Sequence, residues 1–259
     1  MMNECKMPIR RAFTRRRHSY AAHDYPQRRI AAHLAQRLVT VSDMPEGWII
    51  DAGCGIGRDL PLLAQRFGHE RLLAVDFSPE ALALMPASEV TRLSADLELL
   101  PLADAICAGY WSNCAWQWTR PQSVLAQAWR VLKARGWLWA SIVLAGTFPE
   151  LDRAVRTVGV TSALARLPAE TEWEHALGTH SWYACRWEIR HFTFYYPDAE
   201  TLLHAIRGVG ANPTTHSGSP VWTPGRRRAL LDALERERTE EGLGLSYRVG
   251  FLAACKKGG

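Results

Sequence analysis

No two of the six cysteines are spaced Cys-x-x-Cys, and none stands at zinc-site spacing. That pattern removes the basis for a disulfide framework or a structural zinc site and points to reduced, mostly buried thiols. Long apolar runs are missing too: the longest, Trp137 to Ala145, is too short to span a bilayer, and the charged start has no apolar signal core. A cytoplasmic chain with no membrane partner is expected. There is no compelling Ser-His-Asp or Cys-His constellation, and no metal cluster. Neither an internal repeat nor a low-complexity linker divides the 259 residues, so one domain, 1–259, is expected.

What is present centres on Trp48 to Gly57. The apolar run ending in Asp51 reads as a buried parallel strand, and Gly53, Gly55 and Gly57 follow at alternate positions. Glycine there allows positive φ and close approach of backbone to a ligand. Arg58 to Phe67 continues at helical spacing, so the loop leads into a helix N-terminus. A dinucleotide fingerprint needs a third glycine three residues after the second, and Arg58 occupies that place. The pattern Asp-x-Gly-x-Gly-x-Gly instead resembles the first motif of class I S-adenosylmethionine-dependent methyltransferases. A purely structural turn is the alternative.

Residues 1–47 read as a helical preface, with helices over Ile9 to Tyr20 and Arg28 to Leu38 separated by a break at Tyr25-Pro26. Its arginines, Arg10 to Arg17, make either a solvated surface or a docking patch for an acidic macromolecule. Arg71 to Val75 predicts a second strand ending in Asp76, where a ribose would lie, although Asp76 could instead cap the helix after Ser78-Pro79-Glu80. Val90 to Leu93 predicts a third strand leading to Asp96 and Leu97, suited to an adenine edge or to a turn. Ala105 to Trp111 predicts a fourth. Beyond it Asn113, Gln117 and Trp118 are expected to face cofactor or substrate, while Trp116 fills core space.

Gln122 to Leu132 predicts a helix and Gly136 to Leu144 a fifth strand. Five strands alternating with helices predict a doubly wound, mostly parallel sheet, with 48–145 as the cofactor-binding core. Residues 146–183 are expected to form a helical lid over the crevice. In 184–259, strands at Arg186 to Tyr195 and Ser246 to Cys255 flank a helix from Asp198 to Arg207.

Taken together these stretches resemble one family, the malonyl-acyl carrier protein O-methyltransferases of biotin synthesis. The resemblance covers nearly the whole chain: Ala12-Phe13, Tyr20 and Gln27; Asp51 to Gly57; Asp76-Phe77-Ser78-Pro79; Asp96 with Leu100-Pro101-Leu102; Ser112 to Trp118; Gly146 to Leu151; Arg207 to Ala211; and Leu245-Ser246-Tyr247. Ser112 to Trp118 and Gly146 to Leu151 are its more telling segments. It departs at Ile56, where proline is common, and in the arginine-rich preface.

The resemblance implies a Rossmann-like fold with a seven-stranded sheet and helices on both faces. It also implies methyl transfer from S-adenosylmethionine to the carboxylate of a malonyl thioester, leaving S-adenosylhomocysteine. The cofactor-binding residues would be Asp51, Gly53, Gly55, Gly57, Asp76, Phe77, Asp96, Leu97 and Asn113, with no metal. Tyr20 and Arg207 are candidates to hold the substrate, against the readings of a packing tyrosine and a surface arginine. The thioester carrier, acyl carrier protein or coenzyme A, is acidic, and the Arg10 to Arg17 surface suits it. Alternatives are another small-molecule methyltransferase of this class, or a catalytically silent cofactor-binding subunit. A nucleic-acid partner is not expected, because Ser112-Asn113-Cys114-Ala115 stands where such enzymes often carry an Asn/Asp-Pro-Pro-aromatic motif.

Overall fold

A computed structural model describes residues 24–38, 41, 43–86, 90–159, 167–208 and 223–258. Tyr20, the Arg10 to Arg17 run and the expected helix from Ile9 to Tyr20 lie outside the described residues. Helix α1, Tyr25–Ala35, comes first. Two strand-helix steps and a third strand follow: β1 Trp48–Ala52 and α2 Leu60–Phe67, β2 Leu72–Asp76 and α3 Pro79–Ala83, then β3 Thr91–Ser94. Strand β4, Cys107–Asn113, leads through a 3-10 turn at Trp116–Trp118 to α4, Pro121–Val131, and β5, Leu132–Val143. After β5 come α5 Pro149–Thr157, α6 Glu170–Gly178 and β6 Trp182–Tyr196. Helices α7, Ala199–Gly208, and α8, Pro224–Glu235, precede β7, Leu243–Lys256. Helix α8 has no counterpart among the elements expected from the sequence. No helix among the described residues is long and apolar enough to cross a membrane.

Proline marks where these helices begin. Pro26, Pro61, Pro79, Pro121, Pro149 and Pro224 each occupy the first turn of a helix, where the missing N–H would have been unpaired and the fixed φ already suits the helix. The Tyr25-Pro26 step therefore opens α1 at Tyr25, three residues before the expected start at Arg28.

The strands form one sheet in the order β3-β2-β1-β4-β5-β7-β6. Strands β1 to β5 pair in parallel, and β7 runs antiparallel to both β5 and β6. Strand β2 is buried along its whole length and β1 from Ile49 onward, as apolar parallel strands covered on both faces must be. Alternation then sorts the core. Ile49, Leu72, Ala74 and Trp139 lie in one cluster with residues of α1, α2, α7 and α8. Ile50, Leu73, Val75 and Leu138 lie in the other with residues of α4 and α6. Trp116, fully buried, stacks on Trp173 of α6 with ring centroids 5.7 Å apart.

The two helices within 146–183 have different surroundings. Helix α6 puts Trp173, Ala176 and Leu177 into the core beside α4. Helix α5 lies over β7 and α8, and the turn before it is strained. Phe148 has φ 58°, a left-handed conformation unusual for a bulky side chain. Its N–H donates to the Ser246 carbonyl at 2.7 Å, and its ring meets Tyr247 edge-on at 4.5 Å. Contacts with a distant strand thus hold a conformation that local preference disfavours.

Candidate functional site

The carboxyl ends of β1, β2 and β4 meet at the glycine turn. Gly53 and Cys54 donate their N–H groups to the Val75 carbonyl at 2.7 and 3.1 Å, and the Gly55 N–H donates to Asp76 Oδ2 at 2.9 Å. The loop is thereby tied to β2. All three loop glycines have positive φ, but two of them serve different ends. A Cβ on Gly53 would stand 2.3 Å from the Ala115 Cβ, so this position is a close packing contact. A Cβ on Gly55 would meet nothing within 4 Å, so its open side faces a cleft. Gly57 lies deeper, beside Leu60 and Met85.

The cleft, about 420 Å³, is lined by Asp51, Gly53, Gly55 and Asn113 together with residues from α1 and the end of the turn. Asp51 is buried between Ala74 and Trp111 on the neighbouring strands. Its Oδ2 has no hydrogen-bond partner among the described residues. Burial, then the charges of Asp59 and Asp76, push its carboxyl well above the usual carboxylate range. A buried acceptor left without a donor calls for one from a ligand.

Asp59 occupies the cap position of α2 but makes no cap bond. Its Oδ2 accepts instead from the Trp111 indole N–H at 2.8 Å. Burial pushes the Asp59 carboxyl up to about 6, against the hydrogen bonds from Trp111 and Asn113. Buried Asp24, at the start of α1, pairs with Arg28 and with Arg58, each at 3.0 Å. Arg58 is the residue standing where a dinucleotide site would have glycine, and it ties the glycine turn to α1. Asp24, Arg58 and Asp59 were not singled out from the sequence as site residues. Asp59 and Arg58 directly follow the glycine pattern, but the partners that give them a role come from α1 and β4.

Asp76 is buried, accepting from the Gly55 N–H and, through Oδ1, from the Ser78 N–H at 2.8 Å. Burial pushes its carboxyl up while both amides pull it down. The α3 cap is Ser78, whose Oγ accepts from the Ala81 N–H, so Asp76 is left at the strand end beside the turn. Phe77 follows it, half-buried. Ala95 donates to the Asp76 carbonyl at 3.0 Å, which brings Asp96 alongside, and Asp96 Oδ1 accepts from the Glu98 N–H at 3.0 Å. Leu97 is buried, 3.7 Å from where a Cβ on Gly53 would stand. Asn113 accepts from Ser141 Oγ at 2.6 Å and donates to the Gln27 carbonyl at 3.3 Å, so it joins β4 to β5 and α1. Gln117 folds back to donate to the Cys114 carbonyl at 2.6 Å. Arg207 stands exposed in the last turn of α7, and the described lining of the cleft does not reach it.

Of the charged groups that line the cleft, Arg28 and Arg58 are both paired with Asp24, which leaves Asp51 and Asp59 beside the open glycine to meet a ligand that carries positive charge close to the backbone. The residues present therefore fit S-adenosylmethionine, with its ammonium and sulfonium groups. Residues 50–140 match the methyltransferase domain family. The fold is similar to that of the YcgJ protein from Bacillus subtilis, with a TM-score of 0.60 at 17% identity over 87% of this chain and 98% of that one. It is also similar to geranyl diphosphate C-methyltransferase from Streptomyces coelicolor, with a TM-score of 0.51 at 14% identity over 88% of this chain and 80% of that one.

Sequence similarity reaches further. The malonyl-acyl carrier protein O-methyltransferase of Herminiimonas arsenicoxydans is 30% identical over 95% of this chain and 94% of its own length. That of Dechloromonas aromatica is 32% identical over 97% of this chain and 95% of its own. With such identity along almost the whole of both sequences, and a Rossmann-like sheet to match, this chain belongs to the malonyl-acyl carrier protein O-methyltransferase family of S-adenosylmethionine-dependent methyltransferases.

Proposed function

We propose that the chain converts the free carboxylate of a malonyl thioester to its methyl ester, an early step of biotin synthesis. The observation that carries this reading is the near full-length identity with curated malonyl-acyl carrier protein O-methyltransferases. S-adenosylmethionine, when bound, supplies a methyl group activated by its sulfonium.

The chain's own residues then have three tasks. The first is to hold the donor: Asp51 Oδ2 accepts from the ammonium, Gly55 leaves room for the ligand, and Asp76 and Asp96 with Leu97 receive ribose and adenine. Asp76 keeps this capacity, because a carboxylate offers about four acceptor sites and two amides use only part of them. The second is to orient the substrate carboxylate, for which Tyr20 and Arg207 are the proposed donors. The third is to keep water away. A malonyl carboxylate has an ordinary pKa of about 4, so at neutral pH it is already the nucleophile and needs no general base. Positioning of two reactants in this way contributes up to about 7–11 kcal/mol in the best cases.

Incubating the purified chain with the methyl donor and either malonyl-acyl carrier protein or malonyl-coenzyme A tests the reading by mass. One added methyl per thioester is expected, and transfer to neither substrate overturns it. Rescue of a biotin-requiring strain lacking this activity should fail with Gly55→Val and with Asp76→Ala. The Arg10 to Arg17 run is proposed to help dock the carrier protein. Reversing two of its charges should then weaken use of the carrier-bound substrate more than use of the coenzyme A thioester.

A further inference from the structure

A second concavity, about 870 Å³, lies between α1 and the edge strand β6. Its charge is arranged around a single carboxylate. Glu188 receives Arg37 at 2.9 Å, Arg186 at 3.0 Å and Arg190 at 2.6 Å, with His33 Nε2 at 3.5 Å. No other acid is present among the described lining residues, so three guanidiniums against one carboxylate leave the groove basic. Arg37 is anchored over the Phe251 ring, whereas the Arg186 and Arg190 side chains are 70% and 56% exposed.

Helix α1 and the residues flanking it contribute to both the cleft and the groove. Asp24, Gln27 and Arg28 of α1 line the cleft, while His33, Gln36 and Arg37 line the groove. At 1.5 Å per residue, Arg28 and Arg37 are separated by about 14 Å along the helix. An extended pantetheine arm, about as long as five residues of extended chain, spans roughly 17 Å. Arg190 and Val143 both face Val249 in the sheet, so the upper end of the groove is level with the carboxyl edge that carries the cleft.

We infer that this groove docks the acidic acyl carrier protein, whose surface carboxylates meet Arg186 and Arg190 while its thioester arm follows α1 to the cleft. The inference rests on the proposed malonyl thioester reaction. It concerns residues other than the Arg10 to Arg17 run. Exposed charges of this kind govern encounter and partner choice more than chemistry.

The test compares wild type, the double variant R186E/R190E and the charge-keeping R186K/R190K on malonyl-acyl carrier protein and on malonyl-coenzyme A. For R186E/R190E, KM for the carrier substrate should rise about tenfold with kcat kept, and KM for malonyl-coenzyme A should move by less than about twofold. R186K/R190K should stay near wild type. Equal loss on both substrates, or no change on either, overturns the groove, as does a rise in KM that appears only on reversing the Arg10 to Arg17 run. If wild type methylates neither thioester, the functional reading falls. The groove is then judged by titrating labelled carrier protein, where unchanged affinity in R186E/R190E overturns it and a weakening of about tenfold supports it.

Discussion

Glu150, one residue past the start of α5, accepts a hydrogen bond from the Ser246 N–H at 3.1 Å, 96 positions further along the chain. With the Phe148 N–H on the Ser246 carbonyl, it closes a small backbone clamp between the turn after β5 and β7. Two segments that the family resemblance singled out separately, Gly146 to Leu151 and Leu245 to Tyr247, are thus one structural unit beside the carboxyl edge of the sheet.

Glu150→Ala leaves the Ser246 N–H without its acceptor, which costs about 1–3 kcal/mol where the donor is buried. The melting temperature should fall by several degrees, while Glu150→Gln, which keeps an acceptor oxygen, should lose less. Equal losses in the two variants, followed by thermal unfolding, would remove the clamp as the cause.

Asp51→Asn replaces a buried carboxyl, whose Oδ2 has no partner among the described residues, with a group that cannot ionise. Stability should hold or rise, and cofactor affinity should drop. A charge-assisted hydrogen bond of about 1.5–3 kcal/mol corresponds to roughly 10- to 100-fold weaker binding. Calorimetry with S-adenosylhomocysteine reads the affinity. Unchanged affinity with a lower melting temperature would contradict the role given to Asp51.

Gly53 and Gly55 should fail differently. Alanine at Gly53 drives a methyl into Ala115 and should lower stability, whereas alanine at Gly55 meets open space. Its left-handed φ costs about 1–2 kcal/mol, so Gly55→Ala should fold and yet bind cofactor poorly. Melting curves and cofactor titration on the two variants separate these effects. Similar outcomes at both positions would count against the assignment of Gly55 to the cleft.

Asp59 gives a pH dependence with a definite sign. Its carboxyl, near 6 in the folded chain, is raised above the ordinary value of about 3.9. Between those values the folded chain holds more protons than the unfolded one, so this group's contribution to stability falls as pH rises through the window. Binding of a cationic donor should strengthen over the same rise, because Asp59 ionises beside it. In Asp59→Asn both slopes should flatten, as measured by urea midpoints and by cofactor titration across about pH 4 to 7. A cofactor affinity that rises with pH as steeply in the variant would exclude Asp59.

Much of this architecture was legible in the residues themselves. Of the five parallel strands, β1, β2 and β4 are apolar runs that carry Asp51, Asp76 and Asn113 at or next to their carboxyl ends, and local pattern suffices to place them, whereas β3, Thr-Arg-Leu-Ser, is mostly exposed. Strand limits were less legible where pairing extends them. Strand β6 begins at Trp182 rather than Arg186, and β7 at Leu243 rather than Ser246, because each continues for as long as the other supplies partners. Helix α8 is hard to read from the residues because its first turns carry Arg226, Arg227 and Arg228, and only Leu230, Ala233 and Leu234 mark its buried side. In the site, the glycines and Asp51 carry their own signature. Asp24 and Asp59 do not, because the one depends on Arg58 and the other on the Trp111 indole, and neither partnership follows from spacing.

The place of β7 in the sheet has a consequence for biogenesis. It enters between β5 and β6, which are both made before it. On the ribosome those two earlier strands must wait as open edges until residues 243–256 emerge, a state prone to mispairing with other nascent chains. The sheet therefore closes from within, and β7 acts as the keystone that ends this exposure.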